Sequence, residues 1–176
     1  MSIISTATEF ATKAHNGQYR KYTGEPYVTH PLEVCFRLST FMSNEAVLAA
    51  AILHDTVEDT DATIEQINDL FGEEVASYVW YLTKPPTFVG NRAHRKNLCS
   101  DRLRQAPKLA RLIKVFDLWH NSESIRVHDP KFWLTFKQET KELLVHMDAF
   151  EVVLEFCGST FANETFLNWV LEINND

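Results

Sequence analysis

Glycine is scarce, with five residues in 176, and apolar–polar alternation of the strand type is nearly absent. A sheet-based fold is therefore excluded as the reading, and the chain is expected to be all-α. Cysteine is also scarce: Cys35, Cys99 and Cys157 are odd in number, widely spaced and form no C-x-x-C pair. That excludes a disulfide scaffold or a thiolate zinc site, and reduced cytosolic thiols are the expectation. No apolar stretch approaches the ~20 residues that span a bilayer. The N-terminus, M-S-I-I-S-T-A-T-E-F, has no basic region followed by an apolar run, so no secretory signal is visible. The chain is expected to be cytoplasmic and soluble, without a membrane partner. Positive charge is in deficit, 17 Lys and Arg against 24 Asp and Glu, for a net charge of −7. Such a balance argues against a general nucleic-acid binder, whose footprint is basic. A small anionic ligand stays open, provided that basic residues cluster locally. No internal repeat or low-complexity tract stands out.

What is present is a core-forming composition, 45% hydrophobic and 23% charged, in a length suited to one domain with a single sizeable core. The stretch Leu48 to Asp59, L-A-A-A-I-L-H-D-T-V-E-D, organises the rest. Val47 to Leu53 is uninterrupted Val, Leu, Ala and Ile, a helix apolar on nearly all sides and hence buried, with Ser43 as the expected N-cap. His54, Asp55, Glu58 and Asp59 then arrive where that helix should finish, with Glu58 one turn beyond His54 and Asp59 one turn beyond Asp55. Three carboxylates there face the negative end of the helix dipole, and buried charge of one sign needs compensation. A divalent cation would supply it, with His and Asp as ligands. A solvated helix end with a core histidine is the competing reading.

Along the chain, Ile3 to His15 has helical apolar spacing and Gly17 as its stop. Residues 18 to 31 read as a loop or short hairpin punctuated by Gly24 and Pro26, with Pro31 opening a helix to about Phe41. T-I-E-Q from Thr63 is a capping-box pattern for a helix that Gly72 ends, and Glu73 to Leu82 forms the next before Lys84-Pro85-Pro86. A charged segment follows from Phe88 to about Gln105, then an apolar helix over residues 109 to 121. Lys131 to about Phe156 is expected as one helix and Thr160 to Ile173 as the last, amphipathic one.

Asp117 lies among Leu, Ile, Val, Phe and Trp, where an unpaired carboxylate is costly. Lys114 and Asn121 share its face, so a structural Lys114–Asp117 pair and a ligand role both remain open. His30, His54, Asp55 and Asp117 together form a two-histidine, two-carboxylate set suited to Mn, Fe or Zn rather than to a soft thiolate metal.

Four blocks in order, R-K-x-x-G-x-P-Y-x-x-H-P, L-H-D-T-V-E-D-T, L-T-K and I-K-V-x-D-x-x-x-N, resemble the hydrolase domain of the RelA/SpoT homologue family. That domain belongs to the all-helical HD-type metallohydrolases, and the similarity runs from about Ala7 to Leu144. The resemblance implies a single HD-type hydrolase domain over residues 1–176 with a C-terminal helical extension at 151–176, a stand-alone small alarmone hydrolase. It implies His30, His54, Asp55 and Asp117 as metal ligands, with Mn²⁺ the usual family metal. Glu58 and Asp59 match the acidic pair that orients or deprotonates the attacking water. Asn121 matches the Asn near the nucleotide sugar, and Arg20 and Lys21 match basic residues near the base or phosphates. The family reaction, part of the stringent response, removes the 3′-pyrophosphate of (p)ppGpp to leave GDP or GTP plus pyrophosphate.

A polyanionic substrate needs cationic partners, and Arg92, Arg95 and Lys96, with Lys84 nearby, are the candidates. Phe116-Asp117-Leu118 stands where the family usually has Ala-Asp-Arg; with Trp119 and His120 this change is expected to alter the nucleotide pocket or repack the core. Adenine alarmones, (p)ppApp, or another 3′-phosphorylated nucleotide therefore stay open. An HD-type 5′-nucleotidase or phosphodiesterase and a non-catalytic alarmone-binding module are the further alternatives. Trp133 and Phe136 are assigned to core packing, and the aromatic C-terminal segment to closing the core or a homo-oligomer contact.

Overall fold

The computed structural model describes residues 2–174, and among these the architecture is all-helical. The elements are α1 (Ile3–Ala14), α2 (Thr29–Ser39), α3 (Glu45–Leu53), α4 (Thr56–Asp59), α5 (Ile64–Phe71), α6 (Glu73–Leu82), α7 (Arg92–Gln105), α8 (Lys108–His128), α9 (Pro130–His146), α10 (Ala149–Phe161) and α11 (Leu167–Asn174). A short 3₁₀ turn at Thr87–Val89 precedes α7, and a π turn at Ala162–Phe166 precedes α11. No helix among the described residues is long and apolar enough to cross a membrane.

Helix α3 is the axle. Val47, Ala49, Ala50, Ala51, Ile52 and Leu53 are all buried, and it packs against α1, α2, α6 and α8. Its run of alanines lets four neighbours approach at once, which is why an all-round apolar sequence is needed there. Helix α8 is the second core element, with Leu112, Ile113, Val115 and Phe116 buried beside Asp117. Phe116 is wholly enclosed and touches Phe41, Trp119 and Phe161.

Several boundaries differ from the sequence expectation. Asn44, not Ser43, caps α3: its side chain accepts from the amides of Ala46 and Val47 at 3.0 and 3.2 Å. Helix α2 starts two residues before Pro31, which still lies in the first turn, where a missing amide costs nothing. The expected continuous helix from Lys131 is two helices. The chain turns at Met147–Asp148, where Asp148 has φ 51°. Neither Gly nor Pro marks that break; Met147 is drawn wholly into the core, and Arg111 from α8 donates to its carbonyl at 2.9 Å. Gly158, with φ 80°, kinks α10 in the gap that the sequence reading left between Phe156 and Thr160. The Thr63–Gln66 capping box and the Gly72 stop are as expected.

Candidate active site

The ends of two helices and the middle of a third meet at one point. His30 sits in the first turn of α2, His54 caps the C-terminus of α3, Asp55 follows it, and Asp117 projects from α8. His30 Nε2 lies 3.0 Å from Asp117 Oδ1 and 3.5 Å from Asp55 Oδ2. His54 Nε2 lies 3.3 Å from Asp55 Oδ2 and 3.6 Å from Asp117 Oδ1. Ligand atoms of His30, His54 and Asp117 all fall within 4.8 Å of one another. Asp55 completes the ring and accepts from the Tyr27 hydroxyl at 2.8 Å.

His54 Nδ1 faces the carbonyl of Ala51 at 2.8 Å, which places a hydrogen on that nitrogen and turns Nε2 inward. There Nε2 is buried without an aligned hydrogen-bond partner. An orphaned imidazole nitrogen ringed by carboxylate oxygens is what a divalent cation would satisfy, and the nitrogen and oxygen donors suit a borderline or hard transition ion. The electrostatics agree. Burial would push the Asp117 carboxyl up, but Lys114 and the two histidines outweigh it and hold the group well below the usual carboxylate range. Burial opposes ionisation of Asp55 too, and His54 and His30 overcome it. Burial alone would lower His54; Asp55 and Asp117 instead raise it to about 10. His30 is lowered, chiefly by burial.

Beside this cluster lies a cavity of about 540 Å³. Asp55, Asp59, Asp117 and Asn121 line it together with Lys84, Arg92, Arg95, Lys96 and Lys114. Asp59 is exposed to the cavity, and partial desolvation of its carboxyl together with Asp55 and Glu58 raises its proton affinity. Glu58 accepts from the Lys84 amide at 3.1 Å and from Lys84 Nζ at 2.6 Å. Arg92 makes a bidentate pair with Glu139 at 2.7 Å, and Lys96 pairs with Glu142 at 3.0 Å. Arg95 donates to the carbonyls of Thr87 and Gly90.

Arg20 does not line the cavity itself but donates to Asn121 Oδ1 at 2.8 Å, and Asn121 in turn donates to Asp117 at 2.7 Å. Lys21 is outside the cavity lining, largely exposed, and paired with Asp129 at 3.2 Å. Phe136 lines the cavity, whereas Trp133 packs behind it with ring centroids 6.0 Å apart. Leu118 faces the cavity; Trp119 instead packs on Phe116, Phe161 and Arg37. Sequence reasoning left Tyr27 without a role, read Lys114 only as a partner of Asp117, and read His120 only as altering the pocket or the core. Tyr27 holds Asp55, Lys114 Nζ lies 2.6 Å from Asp117 Oδ2 while lining the cavity, and His120 meets His30. Tyr27 stood inside the G-x-P-Y block, so a signal for it existed; the contact of His120 with His30 spans 90 residues and had none. The Lys114–Asp117 pair also shows that the structural reading of Asp117 and the ligand reading are compatible.

The family profile described as an HD domain matches residues 7–143. The chain belongs to the HD-domain family. Among curated relatives, this HD-domain chain is 37% identical over 153 residues, 80% of its length, to a probable guanosine-3′,5′-bis(diphosphate) 3′-pyrophosphohydrolase of Synechocystis. It is 49% identical over 81 residues, 46% of its length, to the guanosine-3′,5′-bis(diphosphate) 3′-pyrophosphohydrolase of Aquifex aeolicus. It spans only 19% and 12% of those two relatives' own lengths. Among solved structures, one described as a metazoan ortholog of SpoT that hydrolyses ppGpp superposes with a TM-score of 0.71 at 28% identity. That match covers 88% of this chain and 96% of the other. A second, from Listeria monocytogenes, gives a TM-score of 0.61 at 26% identity, covering 87% and 96%.

Proposed function

We propose that this HD-domain protein hydrolyses the 3′-pyrophosphate of guanosine alarmones, (p)ppGpp, to GDP or GTP and pyrophosphate, using Mn²⁺ as its cation. The observation that carries the reading is the meeting of His30, His54, Asp55 and Asp117, of which Asp55 and Asp117 line a cavity also lined by cationic side chains. The names of the relatives point the same way, each for its own protein.

In this reading His30, His54, Asp55 and Asp117 hold the cation. When bound, it lowers the pKa of a water and neutralises charge on a phosphoryl oxygen. The residues do the rest. Asp59, open to the cavity and with a raised proton affinity, takes the proton from the attacking water. The water oxygen bonds to the phosphorus carried on the 3′-oxygen, the bond from that phosphorus to the 3′-oxygen breaks, and the 3′-oxygen takes up a proton as the nucleotide departs. Glu58, fixed by two hydrogen bonds from Lys84, orients the water and keeps the Lys84 ammonium at the cavity wall. Arg92, Arg95 and Lys96 meet the pyrophosphate, and Asn121, steadied by Arg20, meets the sugar. Lys21, on the outer side of the loop, is placed to meet a base or phosphate at the entrance.

Leu118 presents an apolar wall where the related domains usually have arginine, and this favours keeping an adenine alarmone as a second substrate reading. Purified protein loaded with Mn²⁺ and given ppGpp, ppApp and a 5′-mononucleotide separates the possibilities. Pyrophosphate release from ppGpp is expected. Release only from ppApp moves the assignment to adenine, and cleavage of the mononucleotide alone refutes the alarmone reading.

A further inference from the structure

His120 is a polar side chain of α8 that the mechanism above does not use, and it makes an unusual contact. Its Nδ1 lies 2.6 Å from His30 Nδ1, with the two ring planes 19° apart and their centroids separated by 4.9 Å. That separation belongs to two rings lying edge to edge in nearly one plane, so the hydrogen bond runs along the lone-pair direction of each. The opposite nitrogen of His30, Nε2, is 3.0 Å from Asp117 Oδ1. His30 is wholly buried, and a neutral imidazole carries a single hydrogen.

Both contacts of His30 must share that hydrogen. With it on Nε2, His30 donates to Asp117, and its Nδ1 accepts from His120. If Nε2 offers its lone pair to a cation, the hydrogen must sit on Nδ1, and His120 must then accept. His54 faces no such demand, because its Nδ1 is set against the carbonyl of Ala51, which only accepts. His30 has an imidazole in that place, and an imidazole changes from donor to acceptor at one atom by moving its own hydrogen to the other ring nitrogen. His120 reaches this position because it lies three residues after Asp117 on α8, so one helical face carries both the carboxylate ligand and the partner of the histidine ligand.

We propose that His120 is a positioning residue of the metal centre: it holds His30 in place through one hydrogen bond that reverses direction when a cation binds. The inference rests on the metal-binding reading above and adds to it a residue that never touches the cation.

The test uses the full chain with ¹⁵N-labelled histidine, metal-free and then titrated with Zn²⁺ as a diamagnetic probe. In the wild type, zinc should move His30 from the Nε2–H to the Nδ1–H form and His120 from the Nδ1–H to the Nε2–H form, read from their ring-nitrogen shifts. Zinc affinity, measured by competition with a chromophoric chelator, should fall about tenfold to a hundredfold in His120→Phe. His120→Gln, whose amide can still accept, should lose less. A merely structural role would lower melting temperature without moving the tautomer signals. His120 nitrogen shifts that ignore zinc, or wild-type zinc affinity in His120→Phe, overturn the inference while leaving the metal centre standing. Absence of zinc binding by the wild type overturns the metal reading and this inference together.

Discussion

Lowering the pH should weaken cation binding through His54 alone, and the size of the effect can be worked from the site. Asp55 and Asp117 are held ionised far below neutrality, and burial lowers His30, so none of these three carries a competing proton at pH 7. His54 does: without a cation its imidazole is raised to about 10 because Asp55 and Asp117 outweigh its burial. A cation needs the neutral ring, so one proton must leave as it binds. Affinity should then rise about tenfold per pH unit on the way up to about pH 10, or about a hundredfold from pH 6 to pH 8. That is about 3 kcal/mol over the two units. Calorimetric titration with Zn²⁺ or Mn²⁺ in buffers of different ionisation enthalpy reads the number released directly, and the slope should be close to one proton. The stability of the metal-free chain moves the other way. A raised imidazole contributes stability that is complete below its ordinary value of 6.5 and lost as the pH climbs through about 10. No proton release and a flat affinity between pH 6 and 8 would refute the reasoning, by showing His54 neutral beside its carboxylates; two protons would implicate His30 as well.

Three further outcomes follow from the same geometry. Asp59→Asn should cut kcat about 10²–10⁴-fold while metal content and melting temperature stay at wild-type values, and undiminished turnover would remove Asp59 from the proton transfer. Asp117→Ala should lose the cation and also leave the Lys114 ammonium buried without its partner, costing about 3–5 kcal/mol even in chelator-treated protein. Urea unfolding in EDTA measures this, and an unchanged midpoint would mean that Lys114 finds another partner. The double variant Glu139→Gln, Glu142→Gln frees Arg92 and Lys96 from partly exposed ion pairs worth little each. Binding of inorganic pyrophosphate should therefore tighten about threefold to tenfold, and unchanged or weaker binding would show that those cations do not meet the anion.

Helix periodicity, the Thr63 capping box and the Gly72 stop were legible because they depend on neighbours within a few residues. The break at Met147 was not, because neither Gly nor Pro marks it: Asp148 takes the positive φ, and the buried Met147 and the Arg111 bond to its carbonyl come from tertiary packing. The site divides in the same way. The H-D pair and the buried Asp117 announced themselves as charges in apolar surroundings, an anomaly visible in one dimension. Their functional neighbours gave no such sign: Lys114 could be read only as a neutralising partner, and nothing in the order of residues says that Glu139 and Glu142 occupy the very cations expected to meet the substrate.

From the order of its residues alone, this chain commits to an all-helical bundle around an alanine-rich axle, with a histidine–carboxylate set tied to it. Those commitments rest on spacing along a helix and on the cost of burying charge, both properties of short stretches. Folding decided which nitrogen of each histidine faces inward, that Lys21 turns outward to Asp129, and that His120 rather than a backbone carbonyl stands behind His30. Direction and partnership at that level are set by contacts between segments as many as 108 residues apart, where the pattern of any single helix carries no information.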